Sequence, residues 1–151
     1  MKDSLPIIRQ CRLNFMDLLA AFSTEQLNVI PTHFSNNLLW NFGHTIVTQQ
    51  ILCYHRAALE APMPKYLLTA YRKGSRPTGL AEEAEYLLLK DWALRSLEIF
   101  ESDVQRGLFR QYEAYTTSFG VEIKSLEEAV RFNATHEALH LGYALAMRKL
   151  L

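Results

Sequence analysis

Two imidazoles four residues apart, in Thr135-His136-Glu137-Ala138-Leu139-His140, are the side chains here whose type and spacing most directly imply chemistry. On a helix they project from one face with their bases about 6 Å apart, close enough to grip one metal ion. The wording is also that of H-E-x-x-H, where two His bind zinc and the Glu is the general base of a metalloprotease. Three features argue against a protease. Only eleven residues follow His140, too few to bring a downstream ligand in from another element. The extended H-E-x-x-H-x-x-G-x-x-H form is absent, since Ala146 lies six beyond His140. Nor does the sequence show a strand edge on which a peptide could be laid. A third ligand is therefore expected from upstream.

His44 is the best candidate. It shares an apolar seam with Trp40 and Val47, where a buried imidazole needs a partner. A lone His on such a stripe is ordinarily a satisfied core residue, but a same-face pair on a second helix makes convergence on one ion the stronger reading. His55 is nearly in phase with His44 yet about 16 Å further along the axis by helix rise, out of reach of the same ion. His33 falls in a loop and reads as a surface residue or a pocket rim. Glu137 and His140 also make an E-x-x-H pair, as in di-iron carboxylate bundles. That site needs two such pairs, and no other His here has a Glu three residues before it.

Three neutral imidazoles leave a divalent ion its full charge and an open position, an arrangement that acidifies a water or a thiol near neutral pH. Several first-row ions suit such a donor set. Glu137, about 100° round the helix from His136, is a candidate catalytic group orienting a water, or else faces a neighbouring helix. Asn133 and Asn41, each one turn before a candidate ligand, are suited to hydrogen-bond an imidazole or a bound molecule. Trp40 and Tyr54 flank His44 and read as core. The basic run Lys65, Arg72, Lys73 and Arg76 offers attraction for an anionic substrate, against the stronger reading of a solvated loop surface.

These side chains require helices to position them, and sparse Gly and Pro divide the chain into four long segments able to form them. The first, about Asp3 to Phe22, spaces Ile8, Cys11, Phe15, Leu18 and Phe22 as one amphipathic stripe. The second, about Ser35 to Glu60, carries Trp40, His44, Val47, Ile51, Tyr54 and Ala58 on one seam. Pro62, Pro64, Gly74, Pro77 and Gly79 make Ala61–Gly79 a long crossover with at most a short helical piece inside it. Thr78 is the expected cap of a third helix, which runs to about Arg106 and buries Leu87, Leu94 and Val104. Residues 108–123, rich in Tyr, Thr and Phe, are open between a loop and a small extended excursion. Ser125-Leu126-Glu127-Glu128 is a capping box that starts the last helix, with Leu126, Ala129, Asn133, His136, His140, Tyr143 and Met147 on one face.

The 151 residues suffice for one domain with a sizeable core, and sixteen basic against sixteen acidic residues give no net charge. The strong positive field that nucleic-acid or anionic-membrane binding relies on is missing. With no long apolar run and no signal-peptide pattern, a cytoplasmic location is expected. Cys11 and Cys53 are too few for a disulfide framework and read as buried apolar fillers.

Leu39-Trp40-Asn41-Phe42-Gly43-His44 and His136-Glu137-Ala138-Leu139-His140-Leu141-Gly142, in that order and separation, resemble the DinB/YfiT-like superfamily of metalloenzymes over essentially the whole chain. The resemblance implies an all-α four-helix bundle as a single domain, with a long crossover between the second and third helices. It also implies a divalent metal (nickel, zinc, iron or manganese) on His44, His136 and His140, and commonly a homodimer. Where many relatives read H-x-G-Q, this chain has His140-Leu141-Gly142-Tyr143, so Tyr143 is a candidate to replace the Gln in the pocket. The implied activity is thiol-dependent transfer to a small-molecule substrate, using a low-molecular-weight thiol. A metal-dependent hydrolase, or a noncatalytic metal-stabilised binding or stress-response module, is the alternative.

Overall fold

The computed structural model describes all 151 residues, and its regular structure is helical apart from one small hairpin. The helices are α1 (Ser4–Leu19), α2 (Thr24–Leu27), α3 (Leu38–Cys53), α4 (Lys65–Tyr71), α5 (Glu83–Gln105) and α6 (Leu126–Met147). Strands β1 (Tyr115–Thr116) and β2 (Glu122–Ile123) pair antiparallel between α5 and α6. The long helices α1, α3, α5 and α6 pack as a bundle, with α6 against both α1 and α3, and α5 against the same two. No helix is long and apolar enough to cross a membrane.

Local chemistry sets most of the helix ends. Asn37 caps α3 by accepting the Trp40 amide at 2.7 Å, which starts the helix after Asn37 and not at Ser35. At the other end α3 stops at Cys53. A short 3-10 turn, His55–Ala57, follows, and left-handed Ala58 (φ 55°) closes it, so the helix does not continue to Glu60. Ser23 and Gln26 form a reciprocal capping box that nucleates the four-residue α2, an element the apolar rhythm is too short to announce. Ser125 accepts the Glu128 amide at 3.2 Å, but the Glu128 carboxylate takes the amide of Lys124 and not that of Ser125, displacing half of the expected box by one residue.

The third long helix departs furthest from expectation. Asn28 clasps Ala81 with two hydrogen bonds of 2.8 Å, its amide nitrogen to the Ala81 carbonyl and its oxygen from the Ala81 amide. The chain is pinned there and α5 begins two residues on, at Glu83, so Thr78 caps nothing. Its buried face is Leu89, Trp92, Ala93, Ser96, Leu97, Phe100 and Asp103. Leu87, expected inside, is 53% exposed, because two residues before Leu89, about 200° round the helix, it faces away from that buried stripe.

The largest core cluster joins α1, α3, α5 and α6 around Phe15, Phe42, Trp92 and Met147, with Phe15 and Phe42 ring centroids 5.3 Å apart. The connection from α3 to α5 holds α4, whose Leu67 and Tyr71 bury against α3. Cys53 is buried and Cys11 partly so, both as free thiols.

Candidate metal centre

His44 on α3 and His136 and His140 on α6 meet where these two helices pack together. Their ring centroids lie 5.2 Å apart for His44 and His136, 4.8 Å for His44 and His140, and 4.5 Å for His136 and His140. One ring nitrogen from each falls within 4.8 Å of the other two. The two helices that supply them are packed neighbours, and the four-residue spacing on α6 stacks its pair on the side facing α3.

Neighbouring oxygens orient two of the rings. The Tyr71 carbonyl stands 2.7 Å from His44 Nδ1, and since a carbonyl only accepts, that nitrogen carries the proton and Nε2 keeps its lone pair. Asn41 donates its amide nitrogen to the Asn37 carbonyl at 2.8 Å, which turns its oxygen toward His140 Nδ1 at 2.9 Å and leaves His140 in the same tautomer. Trp40 stacks on His44 at 4.6 Å with planes 10° apart, holding that ring from behind. His136 Nδ1 is buried with no hydrogen-bond partner, an orphan that costs about 1–3 kcal/mol. Three neutral imidazoles, two with their lone pairs presented and one with an orphaned nitrogen, fit a first-row divalent ion.

Burial keeps all three rings uncharged. It lowers His136 to about 3, with the neighbouring imidazoles His140 and His44 adding to the effect. It lowers His140 to about 4, again helped by His44, and it lowers His44 against the opposing pull of the Tyr71 carbonyl. An unfolded chain titrates these groups near 6.5, so below that pH it binds protons that the folded chain refuses. The contribution is fully present above about 6.5 and drains away as pH falls toward the folded values. Denaturant unfolding of metal-free protein is expected to lose about 1–2 kcal/mol for each of His136 and His140 between pH 6.5 and 5. Equal stabilities at the two pH values would contradict the buried, neutral arrangement.

Glu137 takes the second of its two expected placements and faces a neighbouring helix. The 100° step from His136 carries it onto α1, where its 1% exposed side chain meets Arg12, itself fully buried. Arg12 Nη2 and Nε donate to the carboxylate at 2.7 to 3.2 Å, and its Nη1 reaches the Ala93 carbonyl and Ser96 hydroxyl on α5, each at 2.8 Å. Asn133 donates to the same carboxylate at 2.8 Å, so it serves this ion pair and touches no imidazole. Burial raises the Glu137 carboxyl, while Arg12 and Asn133 pull it down. Tyr143 also departs from expectation. It is 44% exposed, packs on Phe34 at 5.0 Å and stays outside the cavity beside the imidazoles. Asn41 alone of these four contacts an imidazole. His55 is exposed on the 3-10 turn, and Tyr54 is buried, donating to Asp103 at 2.9 Å.

A cavity of about 220 Å³ opens beside the three rings. Thr48, one turn after His44, places its hydroxyl oxygen 3.4 Å from His44 Nε2. Ile51 on α3 and Phe132 and Leu139 on α6 supply apolar wall, and the β1–β2 hairpin covers one side with Tyr115 and Phe119. Periodicity passes over these hairpin residues, since a two-residue strand shows too little alternation to read. Arg12 did carry a signal: it is a charge in phase with Ile8 and Phe15, on the stripe where Cys11 was the expected occupant.

The sequence profile of the DinB superfamily matches residues 7–144. No curated protein matches the chain.

Proposed function

The chain belongs to the DinB superfamily, and from that membership and the three-imidazole centre we propose that it is a divalent-metal-dependent enzyme. The reaction proposed is transfer to a thiol, of S-transferase type. His44, His136 and His140 would hold the ion, with Asn41 and the Tyr71 carbonyl fixing two of the rings. When bound, it supplies Lewis acidity and lowers the pKa of a thiol or a water in the cavity. Nickel, zinc, iron and manganese all suit imidazole donors.

The observation that carries the thiol reading is the absence of any carboxylate from the cavity wall. Glu137, the residue that would have activated a water, is fully engaged by Arg12 and Asn133. A thiol, titrating near 8.5, needs far less help to lose its proton than water at about 15.7. Thr48 offers a hydroxyl beside His44 to orient an incoming group, and Ile51, Phe132 and Leu139 offer it an apolar surface. No fourth His, Cys, Asp or Glu joins the cluster, in keeping with a catalytic site and not a closed structural one. A cytoplasmic location, a homodimer and a small-molecule substrate are proposed with it, as the family resemblance implies.

Protein purified without a His-tag and refilled separately with each of the four metals is expected to couple a small thiol to a chlorinated arene, with the rate abolished by chelation. Ester cleavage in the absence of thiol would assign the site to hydrolysis. Inactivity with several thiols and every metal would leave only a noncatalytic, metal-stabilised module.

A further inference from the structure

Arg56 and Lys73 are the only ionised side chains on the wall of the cavity beside the imidazoles. In a chain with equal numbers of acids and bases, two cations with no acid among them are a local excess of positive charge. Three neutral imidazoles add no negative charge to offset it. Of the basic run from Lys65 to Arg76, Lys73 alone lines this cavity, two residues past the Tyr71 carbonyl that orients His44. Lys73 makes no ion pair.

Arg56 is built into the wall. Its guanidinium lies over the Tyr115 ring, 4.3 Å from the centroid, and its carbonyl receives the Glu113 amide at 2.7 Å, tying the end of α3 to the segment leading into the hairpin. Its one ion pair, from Nη1 to Glu113 at 3.2 Å, uses an acid that is 74% exposed. Such a pair is weak and screened, and it leaves most of the five guanidinium N–H donors for a ligand. The rest of the wall is apolar at Ile51, Phe119, Phe132 and Leu139, with Phe119 and Phe132 rings 5.5 Å apart.

We propose that Arg56 and Lys73 form an anion subsite that selects a small organic carboxylate with an apolar or aromatic body. The two cations attract its acid group into the cavity, and the apolar wall beside the imidazoles takes its body. As the substrate class of the proposed enzyme the assignment rests on that reading, whereas the binding itself requires only these side chains and is measurable on metal-free protein.

The test is calorimetric or NMR titration of metal-free protein with phenylacetate and with phenylacetamide, its neutral isostere, alongside elemental analysis of the purified protein. Wild type is expected to bind the acid about tenfold more tightly than the amide. Lys73→Gln should reduce that preference, and Arg56→Gln with Lys73→Gln should abolish it while leaving amide affinity in place. Lys73→Gln loses no folded-state partner, so it reports even if Arg56→Gln disturbs the hairpin. Equal affinities in wild type, or a preference that survives in the double variant, would overturn the subsite. Protein that takes up no metal yet prefers the acid would overturn the proposed function and support the subsite. Metal-replete protein without the preference would do the reverse.

Discussion

Arg12→Ala is expected to destabilise the protein by about 3–5 kcal/mol, the cost of leaving one member of a buried ion pair without its partner. The variant strands the Glu137 carboxylate at 1% exposure and removes the donors that satisfied the Ala93 carbonyl and Ser96 hydroxyl. Domains of this kind have about 5–15 kcal/mol in total, so the loss is a large fraction of what holds the fold. Urea unfolding of metal-free protein measures it. Arg12→Met combined with Glu137→Leu should recover the part of the loss that comes from the stranded carboxylate, while the Ala93 carbonyl, the Ser96 hydroxyl and the Asn133 amide stay without their partners. A single variant within 1 kcal/mol of wild type would show that the pair is solvated in a way its burial denies.

The second large effect concerns the metal. Asn41→Ala removes the acceptor that holds the His140 ring and is expected to weaken metal affinity by about 10–100-fold, the range typical of such outer partners. His44→Ala removes a donor outright, and its loss should exceed that range, leaving purified protein with little bound metal while the helical content is unchanged. Elemental analysis with competitive chelator titration separates the two. If His44→Ala retained its metal at wild-type affinity, His44 would be a core imidazole and the centre would have to be built elsewhere.

How far these features are legible in the sequence follows from what helical periodicity encodes. A four-residue spacing places His136 and His140 on one face whatever surrounds them, and His44 shares a seam whose packing partner must be another long helix, so the convergence of all three was readable. The same 100° rule leaves Glu137 undetermined, because it fixes an angle on α6 and not which neighbour lies there. That neighbour is a guanidinium on α1, 125 residues away in the chain. Tyr143 is likewise fixed only in angle: the seam predicts its face of α6, and the structure places it 44% exposed against Phe34 from the loop before α3. The start of α5 was misplaced because Thr78 has ordinary capping chemistry, whereas the Asn28 clasp on Ala81 that governs the entry is a tertiary contact without local signature. The hairpin stayed ambiguous because its strands are two residues each.

Gly43 bears on when the centre is complete. A β-carbon there would collide with the Tyr71 ring, so the bare backbone at this position is what lets α4 seat against α3. That seating brings the Tyr71 carbonyl to His44 and Ser75 to the Trp40 indole, which donates to it at 3.0 Å. The lone pair of His44 is thus aimed by a seven-residue helix outside the four long ones. Short segments of this kind open at free energies well below that of global unfolding. Detachment of α4 would free the His44 imidazole to turn, and amide hydrogen exchange within Lys65–Tyr71 measures how often that opening occurs.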